Sequence, residues 1–526
     1  MNKYIKLALA SVLPVAAFTS CNDYLDTMPD NRATLDNEEK IKSILVSAYC
    51  DSECAWVNEL SSDNVDDYGE QNPNTMRWLD DTYAWRDETE SVNESLHRFW
   101  EQSYVAIATT NEALAAIETM GGPEASTMLA ELKGEALICR AYLHFMMANL
   151  FCHPYTQNAA EYLGLPYMEH PETQLNPQYE RGNLADFYAK IQADLEEGMT
   201  LVGDSYYDVP KYHFTKKAAY AFAARFYNFT EQWEKAVDAA TFVVGSEPTS
   251  MLRDWRTYAS LPRSGQVQPN AYISSTENCN LLLQTSYSRL GVAFGGYSNY
   301  SRYSHGQYLA ENEDFRANNI YGSTPIELYA TYVGANFDKS VISKVSYLFE
   351  YTDPVAGVGY EHGVIPVITA DEALLNRAEA YVMLKQYDQA AADLSAWMSN
   401  FTGVQKVVTP ASIASFYNSK SYCYDDEDRI SSGLKKHLNP TFEIDAEGSV
   451  QENMLQCVLA MRRIETLHHG LRWFDIRRYG IEIPRRVINA ANKPDHKTDW
   501  LAKDDLRRTY QIPQKVRDAG LTPNPR

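Results

Sequence analysis

The sequence predicts a mainly α-helical protein. It should comprise tetratricopeptide-like helical repeats forming a superhelical scaffold, a second irregular, loop-rich α subdomain, and a few short β-hairpins. Three observations predict this. Apolar residues recur every three or four positions in SILVSAYC (43–50) and SLHRFWEQSYVAIATTNEALAAIETM (95–120), the period of an amphipathic helix. KKAAYAFAARFYNFTEQWEKAVDAA (216–240) and DEALLNRAEAYVMLKQYDQAAADLS (371–395) repeat each other. Strand-like alternation is confined to NLLLQTSY (280–287), KVSYLF (344–349) and VGYEHGVIPV (358–367), the last reading as a hairpin.

Residues 1–20 carry Lys3 and Lys6, an apolar run from Ile5 to Phe18, and Thr19 and Ser20 before Cys21, the layout of an export signal. A spanning helix needs roughly 20 apolar residues, and this run is shorter and holds Lys6, Ser11 and Pro14. FTSC resembles a bacterial lipobox, with Phe18 where Leu is usual, which implies cleavage before Cys21 and lipidation of its thiol and new amino terminus. Residues 95–120 stop at Gly121 and Gly122. A long helix follows from about Ser126 to Cys152, ended by His153 and Pro154, and another runs near Leu184 to Leu201.

The two repeats match at Ala224, Tyr227 and Ala236 in one copy and Ala378, Tyr381 and Ala390 in the other, the pattern of a tetratricopeptide pair. Small residues let two antiparallel helices approach, and the tyrosine fills the groove between them. GEALICRAYLHFMMANLF (134–151) shares the Arg-Ala-Tyr element at Arg140 to Tyr142 and reads as the first helix of a third unit, its partner separated by a long insertion. Such units stack to bury a continuous face, which leaves specificity to the loops between them.

With 45% hydrophobic and 22% charged residues the chain is an ordinary globular one. Without residues 1–20 it keeps 45 basic against 70 acidic residues. That field repels phosphate backbones, so nucleic acid is not an expected partner. Tyrosine is abundant, 37 against 18 phenylalanines, more phenol than a core needs, which places part of it at the surface. The cysteines at 50, 54, 139, 152, 279, 423 and 457 form no metal-spaced set. They read as small core residues, with a bridge between Cys50 and Cys54 feasible only across a loop. No H-E-x-x-H, P-loop or dinucleotide fingerprint occurs, and DDEDR (425–429) lacks the glycine of a calcium loop. A binding protein is expected rather than an enzyme, with no cofactor and no metal.

Four stretches together resemble the SusD/RagB family of outer-membrane lipoproteins of the Bacteroidetes. They are the lipobox followed by NDYLD, RAYLHFMMANLF, NRAEAYVMLKQYDQAAADL, and the pair RRIETLHHGLRWFDIRRYG (462–480) with YQIPQ and LTPNP (510–525). His469 stands where the family usually has Glu, and Pro523 where it has Gln. The resemblance implies a SusD-like fold over 21–526 as a single domain. Helical pairs fall around 95–151, 184–245 and 371–400, loop-rich ligand-side insertions around 60–90 and 246–365, and carboxy-terminal family motifs over 462–525. It also implies a lipid-anchored protein of the outer membrane, facing the cell exterior. Such a protein captures an oligosaccharide and passes it to a SusC-like TonB-dependent transporter. Peptide uptake and a tetratricopeptide scaffold for another protein are the alternatives. In LRWFDIRRYG the arginines beside Trp473, Phe474 and Asp475 read as a packed junction rather than a ligand site.

A sugar-binding surface needs flat aromatic faces beside polar groups for the hydroxyls. Two stretches have that mixture. NPNTMRWLDDTYAWRDE (72–88) offers Trp78, Tyr83 and Trp85, and TSYSRLGVAFGGYSNYSRYSHGQY (285–308) offers Tyr287, Tyr297, Tyr300, Arg302, Tyr303 and Tyr308. Neither shows a sustained helical stripe, so both are expected as loops that either bind ligand or pin themselves to the body.

Overall fold

The computed structural model describes residues 34–69, 76–174, 177–263, 265–295, 301–322, 329–332 and 339–526, with 329–332 in backbone only. Cys21, Tyr297 and Tyr300 lie outside the described residues. Helix α1 (Glu38–Leu45) begins earlier than the apolar spacing suggested, because the Asn37 side chain caps it by accepting from the Lys40 amide. The chain then tightens into a 3-10 turn at Val46–Ala48. After α2 (Ala55–Ser61) comes α3 (Arg77–Tyr83), a helix inside the stretch expected to be a loop. Its Trp78, Leu79, Asp81, Thr82 and Tyr83 are all buried, so its apolar and polar residues face protein alike and no one-sided stripe marks it.

The long helices fall where the periodicity puts them: α4 (Leu96–Thr119), α5 (Thr127–Phe151) and α6 (Leu184–Leu201). Gly121 and Gly122 take φ of 103° and 75° and end α4. The repeats form α7 (Lys216–Phe229) with α8 (Trp233–Val244), and α9 (Ala370–Met383) with α10 (Tyr387–Thr402). Ser95, Ser126, Asn183, Thr215 and Thr369 each accept an amide of the following first turn, worth about 1 kcal/mol per cap.

Ala224, Ala236, Ala378 and Ala390 are fully buried where the helices of each pair meet. The third unit is α5 with α6, and one buried clamp shows the kinship. Arg140 of α5 forks onto Asp194 of α6 at 2.6 and 2.7 Å. Arg377 of α9 forks onto Asp393 of α10 at 2.8 and 2.7 Å. The outer face of α9 is covered too, leaving only Tyr381 and Met383 partly exposed.

Helices α11 (Val450–Glu465) and α12 (Arg472–Arg478) close the body. All seven residues of α12 are buried. Arg472 reaches Asp63 at 2.8 and 2.9 Å, Arg477 the Asn149 and Cys152 carbonyls, and Arg478 both the Asn228 carbonyl and Glu379, each at 2.9 Å. The junction expected from LRWFDIRRYG is there. All seven described cysteines are buried free thiols. Cys54 sits at the start of α2 with its sulfur toward Asn58, while the Cys50 sulfur faces Ser103.

Strands are few. A three-stranded antiparallel sheet joins β1 (Asn280–Ser286), β2 (Leu348–Asp353) and β3 (Val358–Thr369) in the order β1-β3-β2. VGYEHGVIPV is therefore one long strand, not a hairpin. It pairs with β2 up to His362 and with β1 from Gly363 onward, so its turn lies before it, at 354–357. A second sheet joins β4 (Ile483–Ile488), β5 (Pro494–Leu501) and the two-residue strands Asp66–Asp67 and Tyr303–Ser304.

Candidate functional site

The structure brings most of the two aromatic stretches together, and it brings them inside. Tyr83 and Tyr303 stack at 4.1 Å with planes 17° apart, and the Tyr303 hydroxyl donates to Asp80 at 2.5 Å. The Arg485 guanidinium lies 4.3 Å from the Tyr83 ring centre and 3.8 Å from that of Trp85. Its nitrogens donate to the carbonyls of Leu60, Ser61, Ser62 and Tyr83. Trp85 donates its indole N–H to the Ser61 carbonyl at 2.9 Å, and Trp78 meets Trp56 edge-on at 4.9 Å. Arg302 forks onto Asp67, both bonds 2.7 Å, and Arg486 sits 5.8 Å from the ring of half-buried Tyr308. Trp78, Tyr83, Trp85 and Tyr303 are 2, 5, 5 and 3% exposed. Their faces are occupied by protein, so in this conformation they offer no stacking surface. The physical reason is that the interleaved Arg and Asp residues pair with each other and with carbonyls, which lets the aromatics between them be buried.

Tyr287 differs. It continues β1, its amide donates to the Asp51 carbonyl at 2.9 Å, and its ring stands 4.8 Å from that of Tyr360, tilted by 58°. The two line an open cleft of about 340 Å³. One wall is the sheet. Tyr287, Tyr360, His362 and Glu350 share a face because Glu350 pairs directly with Tyr360 and side chains alternate along β3. The opposite wall is Tyr49, Tyr212 and His213, with Val46 and Asp51 beside them and β1 residues Leu283 to Ser286 as the floor.

Buried Glu135 of α5 fixes that second wall. It accepts from the Tyr49 hydroxyl at 2.6 Å, from Tyr206, and from His213 Nδ1 at 2.7 Å. The Phe214 amide donates to the Tyr49 oxygen at 2.7 Å, and Tyr207 stacks on His213 at 4.5 Å. Burial first, then Cys139 and Glu135 beside it, push the Tyr49 phenol well above its ordinary range, so it stays neutral and donating. Gln284 ties the floor to the segment between α1 and α2 through the Cys50 and Ser52 carbonyls at 2.8 and 2.9 Å.

The sheet wall is freer. The Tyr360 phenol is pushed up to about 12, first by its hydrogen bond to the Glu350 carboxylate. Partial burial raises Asp51, against the pull of Arg98, whose nearest nitrogen is 3.7 Å away. Ser286 Oγ and His362 Nδ1 find no hydrogen-bond partner among the described residues, but both atoms are shielded from solvent, and Ser286, next to Tyr287 on the strand, points to the other face of the sheet. The groups a ligand can reach are instead the Tyr212 and Tyr360 phenols and the Asp51 and Glu350 carboxylates. Of the described candidate residues named from the sequence, only Tyr287 lines this cleft. The alternation in VGYEHGV carried a missed signal, since Tyr360 and His362 two apart must share a face. The aromatic run SYYDVPKYHF (205–214) carried another.

A larger groove of about 480 Å³ runs along α4, lined by Trp100, Tyr104, Val105, Met168, Tyr179 and Leu521 among others. Its phenols are already engaged, Tyr104 with the Pro166 carbonyl and Tyr179 with Glu172. It is an apolar trough, whereas the Tyr287 cleft combines ring faces with the carboxylates of Asp51 and Glu350.

Comparison with known proteins places this geometry. Residues 23–228 match the SusD-like family model described as "Starch-binding associating with outer membrane". No curated protein matches the chain. Among solved structures, a SusD superfamily protein from Bacteroides vulgatus superposes with a TM-score of 0.63 at 18% identity, covering 94% of this chain and 99% of that one. One from Bacteroides thetaiotaomicron gives 0.61 at 18%, covering 94 and 100%. A SusD-like carbohydrate binding protein from Bacteroides vulgatus gives 0.57 at 15%, covering 92 and 96%. At these identities the likeness establishes the fold, and the ligand has to be argued from this chain's own residues.

Proposed function

From the premise that the chain is a SusD-like protein, we propose that it captures oligosaccharides in the Tyr287–Tyr360 cleft and hands them to a SusC-like TonB-dependent transporter. It does so from the outer membrane, anchored through lipidated Cys21 and facing the cell exterior. The observation that carries the ligand reading is the meeting, in one open cleft, of two tyrosine rings with the accessible polar groups of Tyr212, Asp51 and Glu350. Sugar rings present apolar C–H faces and polar rims, and the cleft offers a counterpart for each. Peptide capture is the second reading, favoured by the carboxylates of Asp51 and Glu350 at the same cleft. A pure tetratricopeptide scaffold would display an open repeat face, and here α9 is covered on nearly every side.

An affinity-gel and calorimetry screen of oligosaccharides and peptides tests this reading. A bound glycan should lose about 1–3 kcal/mol of affinity in the Tyr287→Ala, Tyr360→Ala double variant. Undiminished affinity in a folded double variant removes the cleft from the binding site, and binding of peptides alone selects the second reading. Replacing Cys21 with Ala should release the protein from the membrane fraction, and protease treatment of intact cells reports which face it occupies.

A further inference from the structure

Among the residues that line the cleft, the fixed charges are negative. Asp51 and Glu350 contribute carboxylates, His213 and His362 imidazoles, and no lysine or arginine lines it. The His213 ring is committed to Glu135 at 2.7 Å, so its positive charge, when present, is already met inside the protein. Asp51 is loosely paired, with the nearest Arg98 nitrogen at 3.7 Å and the Gln102 amide beside it. Glu350 is exposed at the free edge strand, with the Tyr360 phenol as its partner. The whole chain carries a formal charge of −23. A concave surface with low-dielectric walls concentrates such a field rather than dispersing it.

Neutral hydroxyls are indifferent to that field and are well served by carboxylate acceptors. A carboxylate or sulfate on the sugar faces two like charges and no cation among the residues that line the cleft, and an ammonium in place of a hydroxyl finds both as partners.

We infer that the cleft is charge-selective, accepting neutral and amine-bearing glycans and rejecting uronate and sulfated ones, with Asp51 and Glu350 as the specificity-determining residues. This rests on the cleft being the glycan site. It adds a statement about ligand class that a ring platform alone does not make, since stacking is blind to the charge at the sugar's rim.

The test uses hexasaccharides matched in linkage and differing in one group. One set is β-1,4-linked glucose, glucosamine and glucuronic acid, and another is α-1,4-linked glucose and glucuronic acid. Each is titrated by calorimetry against the full chain in detergent at low salt. The glucosamine and glucose hexamers of a set should bind at least about fivefold tighter than its uronate, the effect of one or two partly exposed charges. The gap should close to within about twofold in Asp51→Asn, Glu350→Gln, and shrink in wild type as salt is raised. Glu350→Gln alone is the safeguard if the double variant does not fold, because Glu350 is exposed and should narrow the gap by itself. A uronate hexamer bound as tightly as its neutral counterpart, with binding still lost in Tyr287→Ala, overturns the charge inference and leaves the site standing. Binding that survives Tyr287→Ala, or no binding of any hexamer, removes the site and the inference with it.

Discussion

The wall of arginines and aromatics around Arg485 and the tyrosine cleft around Tyr287 are built from the same residue types, and only one is open. At the wall, Trp85 and Tyr83 sandwich a guanidinium whose nitrogens satisfy four carbonyls, and Tyr303 covers the outer face of Tyr83. At the cleft, Tyr287 and Tyr360 meet at a tilt and keep part of each face free, with the exposed Glu350 carboxylate beside them. The difference is whether the neighbouring charges have partners. Where Arg and Asp pair, rings between them can be desolvated. Where the carboxylates are only loosely paired, Asp51 with Arg98 at 3.7 Å and Glu350 exposed, the rings stay at the surface.

Arg485→Ala should break the wall with the largest effect. It empties the space between two rings and strips donors from four carbonyls, three of them at the end of α2. A loss of about 3–5 kcal/mol is expected in denaturant unfolding. If the variant is as stable as wild type, the wall is not structural. Trp85→Ala removes one half of the sandwich and should cost about 3 kcal/mol, the scale of a buried tryptophan truncation. Its glycan affinity should be unchanged once the protein is folded. A stable Trp85 variant with lost affinity would exchange the roles of the two regions.

Two residues in one loop sharpen the comparison further. Asp51 points toward the cleft, and Glu53 points inward, 5% exposed, accepting from Ser288 at 2.9 Å and from the Trp56 amide at 3.1 Å. Burial pushes the Glu53 carboxyl up to about 7 from 4.5. A carboxyl that binds its proton more tightly when folded favours folding below its unfolded pKa, and that contribution is lost as pH rises from about 4.5 through 7. Glu53→Gln should therefore flatten the stability profile across that window, gaining about 2–3 kcal/mol relative to wild type at pH 8 compared with pH 4. Parallel profiles for the two proteins would show that Glu53 is ionised at no cost.

The frame was legible because helical spacing and caps are local. Ala224, Ala236, Ala378 and Ala390 identify two units by themselves, and Arg140-Ala141-Tyr142 points to the third. What spacing could not supply is the partner of a charge. Asp67 meets Arg302, and Asp66 meets Arg486 at 3.0 Å, across hundreds of residues. Without those pairs the aromatics of 77–85 and 301–308 look like a binding surface. The cleft was hidden for the converse reason. Tyr49, Tyr212, Tyr287 and Tyr360 come from four separate segments, and only the antiparallel pairing of β3 with both β1 and β2 puts the last two side by side.

The smallest expected effect isolates what a hydroxyl does at the cleft. Tyr360→Phe keeps the ring and its 4.8 Å approach to Tyr287 while deleting the phenol that donates to Glu350. If the cleft binds through ring faces, a neutral glycan should lose no more than about 0.5–1 kcal/mol, one partly solvated hydrogen bond, and the melting temperature should stay put because the group is exposed. If the phenol instead holds Glu350 in place for the ligand, the glucosamine hexamer should lose more affinity than the glucose hexamer. The ratio of the two losses, measured by calorimetry on the same variant, thus separates stacking from charge presentation. A loss for the neutral hexamer as large as that of Tyr360→Ala would mean that the ring face contributes nothing, and the contrast between an occupied wall and an open platform would have to be abandoned.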